Sequence, residues 1–471
     1  MSPRPTTIGI DDDILLATGS IADASGIRVY VVGGYVRDRL LGRPGTDLDI
    51  LVIGDGIEFA SSVARALKGG KVVPYEKFGT AMLPLRDRKV EFVTAREEEY
   101  DPSSRKPTVR KASLESDLSR RDFTINAIAV SLNRDQLGTM VDPFDGSSDL
   151  TRRIIRTPLA PDRTFDDDPL RMLRAIRFAS QLGFEIEGET LRGIERMRER
   201  MPIVSQERIT EEFLKILASP SPSTGLKLLQ DTGLAARVFP ELVDMVGVEQ
   251  RKEYHHKDVF LHTLKVVDNI AESGADLWLR FTALVHDIAK PRTKAFKEGI
   301  GWTFHGHEEL GARMMKGIFR RMRLPTDRLP YVEKLVRLHL RPMVLVSEEV
   351  TDSAVRRLLF EAGELIDDLM MLCRADITSQ NPTRVARYMR NYDIVMAKMR
   401  EVEEKDRLRN WQPPVRGDEI MAVCGLEPGR TVGILKKRIE EAILDGEIPN
   451  EHDAALAYLV SIKDQVLQAN P

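Results

Sequence analysis

The spacing of hydrophobic and polar residues changes once along the chain. Residues 27–150 contain short apolar runs, RVYVV, LDILVI, KVVPY, KVEFVTA and INAIAVSL, separated by helical stretches such as GIEFASSVARALKG. β-Branched runs of this length are typical of strands, whereas apolar residues three and four apart predict helices. After about residue 150 only helical spacing continues, as in DPLRMLRAIRFASQLGF and FLHTLKVVDNIAES. The pattern predicts an α/β head followed by a helical body.

Breaks in the pattern predict four domains. The 471 residues exceed one core, given about 150 residues per domain. The head covers residues 1–150 and a helical neck covers 151–240. A helical domain follows at 241–400, and the charged stretch REVEEKDRLRNWQPPVRG introduces a helical tail at 401–471. Within the head, residues 96–119 are polar and nearly free of periodicity, which indicates a mobile loop.

Composition restricts the class of protein and its location. A hydrophobic content of 42% with 30% charged residues is typical of a soluble globular protein. Cys373 and Cys424 are the only cysteines and lie far apart, which excludes a disulfide framework and a cysteine zinc site. The N-terminus lacks an apolar signal core, and no run approaches the roughly 20 apolar residues of a membrane span. We expect a cytoplasmic protein without a membrane partner.

The net charge of −3, from 70 basic and 73 acidic residues, neither indicates nor excludes nucleic-acid binding. Binding requires a local basic face rather than a basic total. Basic residues cluster at 152–158, 171–178 and 192–200. Each cluster is either a solvated helix face or a contact surface for RNA.

The most informative segment is VVGGYVRDRLLGRPGTDLDILV, residues 31–52. In a strand, residues two apart point to the same side, so Asp47 and Asp49 lie together while Leu48 and Ile50 face the opposite side. Two adjacent carboxylates repel each other unless a cation lies between them, and hard oxygen ligands favour Mg²⁺. The alternative is a pair of solvated carboxylates at a turn.

Residues before and after this pair extend the predicted site. Gly33 and Gly34 follow a strand and allow a phosphate to approach backbone N–H groups, and Arg37 and Asp38 follow at a helix start. A third acid is usual in two-metal polymerase chemistry, and Glu91 in KVEFVTA is the best candidate. Glu91 has an alternative role as a partner of Arg or Lys across the sheet. The combination predicts metal-assisted nucleotidyl transfer.

Two further segments carry candidate nucleotide-binding residues. In RRDFTINA, Asp122 or Thr124 is a candidate helix cap, and Arg121 is free to reach a triphosphate or ribose. Downstream, Pro169 suits the first position of a helix, with Asp168 as its N-cap.

The alternative role of Asp168 is base selection together with Arg171, one helical turn away. Adenine and cytosine present an amino donor beside a ring-nitrogen acceptor, whereas guanine and uracil present the inverse order. An Asp–Arg pair therefore accepts A and C, and each inverted pairing costs roughly 1–3 kcal/mol. Arg174 and Arg177 extend the basic stripe at further three-residue steps. Protein side chains would thus select nucleotides without a template.

The motifs GG-x-VRD, DxD, RRDFTINA and DD-x-x-R, in this order, resemble those of the bacterial class II tRNA nucleotidyltransferase and poly(A) polymerase family. The resemblance covers residues from about 27 to 240. It implies an α+β multidomain fold, in which a nucleotidyltransferase head with a five-stranded mixed sheet precedes a helical neck, body and tail. Asp167 stands where the family usually has Glu, so no role is assigned to it.

The resemblance also implies roles for individual residues. It places Mg²⁺ on Asp47 and Asp49 and the nucleotide, through its triphosphate and base, on Gly34, Arg37, Arg121, Asp168, Arg171, Arg174 and Arg177.

Family members add CCA, CC alone, A alone or poly(A). The poly(A) polymerases commonly carry Gly, two basic residues and Phe after the DxD strand, whereas this chain has VVPYEKFGTAML and looks like the tRNA-specific branch. CC-adding members lack the flexible loop that residues 96–119 resemble. We therefore expect CCA addition to tRNA from CTP and ATP, with A-only addition or poly(A) synthesis as alternatives and with no DNA partner. A non-enzymatic RNA-binding protein on a retired scaffold is disfavoured because the DxD pair is intact.

A second set of candidate site residues is distributed along the predicted helices of the body. Its members are His262, His286, Asp287, His307, His339 and Asp376. Imidazoles with carboxylates favour a transition metal, Mn²⁺ or Mg²⁺, although a single helical His is more often a packed core residue. The order His, His-Asp, Asp resembles the HD phosphohydrolase superfamily over residues from about 255 to 380, with His307 and His339 as second-metal ligands. The resemblance implies phosphoester hydrolysis, and a vestigial RNA-contacting domain is the alternative.

The tail segment 425–448 predicts a turn and an amphipathic helix on which Lys436, Lys437 and Arg438 are adjacent. This basic cluster is either a solvated helix end or a contact to the tRNA elbow.

Overall fold

The protein is represented by a computed structural model that describes residues 7–45, 47–85, 88–99, 108–111, 113–249, 258–299, 301–347, 351–379, 381–406 and 413–469. The chain divides into two compact units, Met1–Val243 and Asp244–Pro471. Among the described helices, none has the length and apolar content that crossing a membrane requires.

Within its described residues, the first unit contains one large sheet and eleven whole α-helices. Its strands are β1 (Arg28–Val32), β2 (Leu48–Ile53), β3 (Val73–Tyr75), β4 (Thr80–Leu85), β5 (Arg88–Thr94), β6 (Arg96–Glu99), β7 (Thr108–Lys111), β8 (Ala129–Ser131), β9 (Met140–Val141), β10 (Ile154–Ile155) and β11 (Glu185–Ile186). Its helices are α1 (Asp13–Ala24), α2 (Gly34–Leu40), α3 (Gly56–Ala66), α4 (Leu114–Ser119), α5 (Gly146–Arg152), α6 (Pro161–Asp167), α7 (Leu170–Leu182), α8 (Gly188–Met197), α9 (Gln206–Leu217), α10 (Pro222–Asp231) and α11 (Ala235–Val238). Helix α12 (Glu241–Asp244) spans the boundary between the units. Short 3-10 turns lie at Glu76–Phe78, Thr124–Asn126, Arg134–Gln136 and Arg198–Ile203.

The large sheet is mixed, with strand order β3-β4-β5-β2-β1-β8-β9. Strand β2 lies at its centre, parallel to β5 and antiparallel to β1. Both faces of the central strands are covered. Tyr30, Val32 and Leu51 join a core cluster on one face, and Phe59 of α3 packs edge-on against Phe92 on the other at a centroid distance of 5.8 Å. The mixed topology agrees with the expectation, but the sheet has seven strands rather than five.

The two strands absent from the predicted apolar runs are β4 and β9. Strand β4, TAMLPL, contains a proline and lacks β-branched residues apart from its first, and β9 has only two residues. Such segments are recognised as strands only by their pairing, and β4 pairs with β5 along its whole length. Strand propensity alone therefore does not predict β4 and β9.

Three other expectations for this unit need correction. The polar segment 96–119 is not only a loop, because β6 and β7 pair as an antiparallel ribbon and α4 follows; residues 100–107 and 112 lie outside the described residues. The predicted boundary at residue 150 falls inside α5. The neck is not wholly helical, since β10 and β11 form a parallel pair. Pairs this short carry no sequence periodicity.

The second unit is mostly helical. Its helices are α13 (Val259–Glu272), α14 (Leu277–Val285), α15 (Lys290–Thr293), α16 (His307–Met322), α17 (Leu329–Leu338), α18 (Arg341–Ser347), α19 (Asp352–Ala362), α20 (Ile366–Ala375), α21 (Pro382–Asp406), α22 (Gly417–Cys424), α23 (Arg430–Asp445) and α24 (His452–Ala469), with 3-10 turns at Thr326–Arg328 and Gly363–Leu365. One hairpin, β12 (Ala295–Lys297) with β13 (Gly301–Thr303), interrupts this expected all-helical region.

The tail helices have a core of their own. Leu435 and Ile439 of α23 and Leu459 of α24 are fully buried in one cluster. The predicted boundary at residue 401 falls inside α21, a 25-residue helix. The charges of α21 had resembled those of a linker, but charged residues are also usual on an exposed helix face.

Candidate active site and metal centre

The two aspartates of the DxD motif flank the start of the central strand β2. Leu48 and Ile50 are buried on the opposite face, whereas Asp47 is exposed and Asp49 is partly buried. In the register of the parallel pair β2–β5, Asp49 is directly opposite Glu91. The structure thus places Asp47 and Asp49 at the start of β2, with Glu91 beside Asp49 in the middle of the neighbouring strand β5.

The environment of Asp49 is unfavourable for an isolated negative charge. Burial is the main cause that raises the pKa of its carboxyl to about 6; Glu91 and Asp47 act in the same direction, and the guanidinium of Arg121 opposes them. A buried carboxylate such as Asp49 is stabilised as the anion when a cation binds, because the cation offsets the repulsion from the neighbouring acids. The oxygen donor set therefore fits a hard divalent cation.

Side chains from the DxD motif and from RRDFTINA approach the backbone of Gly33 in the glycine motif. Its φ of +74° lies in the left-handed region that favours glycine. A Cβ built on it would lie 3.2 Å from Nη1 of Arg121 and 3.3 Å from Oδ2 of Asp49. Glycine is needed here both for the backbone conformation and for the close approach of these two side chains.

Arg37 and Asp38 lie on α2 and form an ion pair with a 2.8 Å separation. Nη1 of Arg37 also donates to Oδ1 of Asn126 at 3.0 Å. Arg121 in turn pairs with the buried Asp117 at 3.3 Å. Each predicted phosphate-binding arginine is thus oriented by a neighbouring side chain, a feature that the motif spacing did not reveal.

Arg174 and Arg177 are not presented as an open basic stripe. Arg174 forms an ion pair with Asp122 at 2.6 Å, and Arg177 forms one with the buried Glu212 at 2.7 Å. Both guanidinium groups lie near the ring of Phe178, with centroid distances of 5.5 and 4.2 Å. In this structure their charges are satisfied internally, and any contact with phosphate would have to share these arginines with the acids.

Asp122, which the sequence indicated only as a helix cap, is a buried carboxylate with several partners. Its Oδ1 accepts hydrogen bonds from Phe123 N and from Asn126 Nδ2, while Oδ2 receives Arg174. Burial opposes ionisation, but the guanidinium of Arg174 lowers the pKa of Asp122 to about 2. Because Asn126 also binds Arg37, this carboxylate connects α7 to the residues around the DxD motif.

The predicted base-selecting pair occupies the start of α7. Oδ1 of Asp168 accepts from Leu170 N at 3.1 Å, so its side chain caps the helix, although Pro169 occupies the N-cap position itself. The guanidinium of Arg171 donates to the carbonyl oxygens of Thr164 and Arg120, at 3.3 and 2.6 Å. The side chains of Asp168 and Arg171 are therefore held by different partners in this structure.

The six candidate residues of the second unit form one cluster. They come from helix ends as well as helix interiors: His262 from α13, His286 and Asp287 after α14, His307 at the start of α16, His339 after α17 and Asp376 after α20. Their ligand atoms fall into two groups, each within 4.8 Å: His262, His286 and Asp376, and Asp287, His307 and His339.

The two groups meet at Asp287. Its Oδ2 lies 3.2 Å from Nε2 of His286 and 3.5 Å from Nε2 of His262, and its Oδ1 lies 3.3 Å from Nε2 of His307. The second carboxylate, Asp376, lies 2.8 Å from Nε2 of His262. A carboxylate that faces both groups is suited to bridge two cations.

All four imidazoles are oriented by a bond at Nδ1. His286, His307 and His339 place Nδ1 at 2.6–2.7 Å from the carbonyl oxygens of Ala283, Phe304 and Val336, each three residues earlier. His262 Nδ1 lies 2.9 Å from Oγ1 of Thr378. Metal-ligating histidines are held in this way, because a partner at Nδ1 directs the lone pair of Nε2 toward the metal. Packed core histidines do not require this shared orientation.

The charges of the cluster also fit a cation site. Although burial opposes it, Asp287 and Asp376 raise the pKa of His286 to about 10, whereas burial lowers the pKa of His339 to about 3. Nε2 of His286 is buried and makes no well-directed hydrogen bond to any residue that the structure describes. Lys290, which the sequence reasoning overlooked, pairs with Asp287 at 2.6 Å. Its i,i+3 spacing from Asp287 was the available signal.

Three family models match the chain. They describe a poly A polymerase head domain at residues 29–156, a probable RNA and SrmB-binding site of polymerase A at 183–245, and an HD domain at 259–379. The head model continues past the predicted boundary at residue 150. The continuation has a structural reason, since buried Asp149 in α5 pairs with Arg156 at 2.7 Å.

Full-length relatives extend the match. An A-adding tRNA nucleotidyltransferase of Deinococcus radiodurans is 33% identical over 438 residues, covering 90% of this chain and 93% of its own. A CC-adding tRNA nucleotidyltransferase of Thermus thermophilus is 32% identical over 438 residues, covering 90% of this chain and 92% of its own.

A solved structure with the same fold is a CCA-adding enzyme in its second apo form. It has a TM-score of 0.66 at 24% identity and covers 96% of both chains. The identity and coverage of the curated relatives, together with the head, RNA-binding and HD models, establish the family. The chain belongs to the tRNA nucleotidyltransferase family with a poly A polymerase head domain and carries an HD domain.

Proposed function

We propose that the protein is an enzyme that adds C, C and A to the 3′ ends of tRNA from CTP and ATP without a template. The observation that carries this proposal is the alignment of Asp49 with Glu91 beside Asp47, with Arg121 and Gly33 in contact range. An acidic group with its own arginine and an open glycine backbone suits a nucleoside triphosphate with divalent cations. The names of the relatives supply the tRNA end as the acceptor.

In this proposal the acids hold Mg²⁺ and the arginines hold the triphosphate. Asp47, Asp49 and Glu91 would hold the ions, which would supply charge neutralisation for the attacking and leaving oxygens. The 3′-hydroxyl of the RNA attacks the α-phosphorus, the new O–P bond forms, and pyrophosphate leaves. Gly33 leaves space for the phosphates, while Arg37 and Arg121 bind them; Asp38 orients Arg37 at 2.8 Å.

Nucleotide choice is assigned to α7. Asp168 accepts and Arg171 donates at the base edge, which matches adenine and cytosine. Arg174 and Arg177 support this helix through Asp122 and Glu212. Because relatives named for A addition and for CC addition are almost equally similar to the chain, A-only addition remains the alternative within the same chemistry.

The decisive experiment offers tRNA transcripts that end before CCA, after C and after CC, with each nucleotide alone and together. Complete CCA on the first transcript supports the proposal, and extension of only the third supports A-only addition. Asp47→Ala should lower incorporation by at least about 10³-fold, because the cations lose a ligand. Asp55→Ala, which removes an exposed cap of α3, is the matched control. Substantial incorporation by folded Asp47→Ala protein contradicts the mechanism.

We further propose that the HD domain binds divalent metal and hydrolyses phosphoesters. The carrying observation is the shared orientation of four imidazoles around Asp287 and Asp376. Imidazole with carboxylate favours a transition metal or Mn²⁺ over Mg²⁺ alone. The metal would supply an activated water, and Lys290 lies beside Asp287 as a cation for the substrate phosphate.

Metal content and phosphodiesterase activity test this second function. Wild-type protein should contain metal by elemental analysis and hydrolyse a phosphodiester, while His286→Ala should lose most of both. His452→Ala, in the tail, changes an exposed histidine and is the control. A wild type without metal and without hydrolysis would leave only the vestigial interpretation of the domain.

A further inference from the structure

The hairpin β12–β13 exposes two aromatic side chains beside the HD domain cluster. Phe296 is 65% exposed and Trp302 is 36% exposed. The two residues are opposite each other in the register of the hairpin, and their ring centroids are 5.2 Å apart with an interplanar angle of 76°. Single exposed hydrophobic residues are ordinary, but two aromatic rings in contact form a contiguous apolar surface, which is typical of a site that binds a partner.

The surroundings of these rings are cationic. Nζ of Lys294 lies 4.3 Å from the centroid of Trp302. Between residues 290 and 305 the sequence contains Lys290, Arg292, Lys294 and Lys297 against a single acid, Glu298. Exposed aromatic rings among cations are the arrangement with which proteins bind single-stranded nucleic acid, because bases stack on the rings and phosphates pair with the cations. An acidic peptide would use the cations but has no need of two exposed rings.

The hairpin leads into the chain segment that carries a ligand of the metal-ligand cluster, His307. Oγ1 of Thr303, at the end of β13, donates to the carbonyl of Ala295 across the hairpin at 3.1 Å. The next residue, Phe304, holds Nδ1 of His307 through its carbonyl oxygen at 2.6 Å. Lys290 lies 5.7 Å from the ring of Phe304 while it pairs with Asp287. Rings and cluster are therefore joined by a few ordered residues rather than by a long loop.

We propose that the hairpin binds the terminal bases of single-stranded RNA by stacking on Phe296 and Trp302, so that a phosphate at the RNA end reaches the HD cluster. This inference rests on the proposed HD function for its chemistry, but the stacking is measurable without any hydrolysis.

Cross-linking tests the position of the RNA. A six-nucleotide RNA with a 4-thiouridine at its last base and a 3′-phosphate is irradiated with the full chain, and the modified peptides are identified by mass spectrometry. We expect modification within residues 295–304. Modification confined to residues outside 290–305 overturns the proposal.

Affinity supplies the second readout. Since a stacked base contributes about 1–3 kcal/mol, Phe296→Ala with Trp302→Ala should weaken binding of this RNA by tenfold or more. Trp302→Phe should retain most of the affinity, because a phenyl ring still stacks. Ile394→Ala, which removes another side chain that is 61% exposed, should have no effect. Wild-type affinity in the double variant would contradict the proposal.

The two proposals fail in different ways. If the wild type cross-links at the hairpin but contains no metal and cleaves no phosphoester, hydrolysis is wrong and the stacking surface stands. If metal and hydrolysis are present but the cross-link and the affinity loss are not, the hairpin inference is wrong and the HD function stands.

Discussion

At the scale of single residues, Asp122 has the most consequential environment in the head. It is 8% exposed and binds Arg174, Asn126 and the backbone N of Phe123. Burying a carboxylate is costly unless it is both paired and hydrogen-bonded, and here both conditions hold. The sequence indicated a cap at this position, but the pairing with Arg174 joins residues 52 positions apart.

Asp122→Asn should lower the free energy of unfolding by about 3 kcal/mol, because Arg174 loses its close carboxylate in a buried site. The lowered pKa of Asp122, about 2, means that its stabilising effect is complete above the unfolded value near 4 and is lost as the pH falls toward 2. The stability difference between wild type and variant should therefore narrow between pH 4 and pH 2. Urea unfolding of both proteins at several pH values from 7 to 2.5 measures this difference in the free energy of unfolding. Asp145→Asn, at an exposed left-handed position, is the control. A difference that stays constant with pH would show that the ion pair is not the cause.

At the scale of elements, helix α7, to which we assign nucleotide selection, is held at several points along its length. Asp168 caps its first turn, and Arg171 fixes it to the carbonyl oxygen of Arg120 at the end of α4. On the following turns, Arg174 and Arg177 hold Asp122 and Glu212. A helix fixed at several points is a suitable support for a base-reading pair, because the donor and acceptor keep a constant spacing.

Substitutions on α7 test the selection of A and C over G and U. Asp168→Ala and Arg171→Ala should reduce this discrimination by about tenfold or more, because each removes one partner of the base edge. Arg171→Lys should not restore it, since an ammonium group lacks the planar donor pair. The measurement is single-nucleotide incorporation with ATP, CTP, GTP and UTP on one tRNA transcript. Arg192→Ala, which changes an exposed arginine of α8, is the control. Unchanged rejection of GTP and UTP in folded variants would refute the assignment.

At the scale of the whole molecule, the two proposed sites lie in separate units. Residues 1–243 contain the DxD acids, and residues 244–471 contain the histidine cluster. Each unit has its own buried core, so ligands specific to one site should stabilise mainly the unit that binds them. The helical tail core is part of the second unit.

Calorimetry should reveal this separation. Mn²⁺ at about 100 times its dissociation constant should stabilise the second unit by about 2.7 kcal/mol, which corresponds to a rise of roughly 5–10 °C in its transition temperature. His286→Ala should abolish the shift. CTP with Mg²⁺ should instead raise the transition of the first unit in that same variant. A single transition that all ligands shift equally would show that the units unfold together.

Local patterns were sufficient for much of the fold. The strands β1, β2, β5 and β8 and the principal helices follow from residue spacing, since a buried face imposes the period of its element on the sequence. Strand β4, the pairs β10–β11 and β12–β13, and the extension of α21 beyond residue 401 did not follow. These elements are short, interrupted by proline or unusually charged, and their formation depends on partners distant in the sequence.

The sequence by itself determined the chemistry that is encoded in adjacent residues: the glycine pair, the alternation that puts Asp47 and Asp49 on one face, and the helix start at which Asp168 and Arg171 lie. Only the tertiary structure decided how the charges are shared. It paired Arg174 with Asp122 and Arg177 with Glu212, and it aimed four imidazoles at Asp287. The reason is physical: spacing along the chain fixes which face a side chain occupies, but the partner that neutralises it comes from a different element.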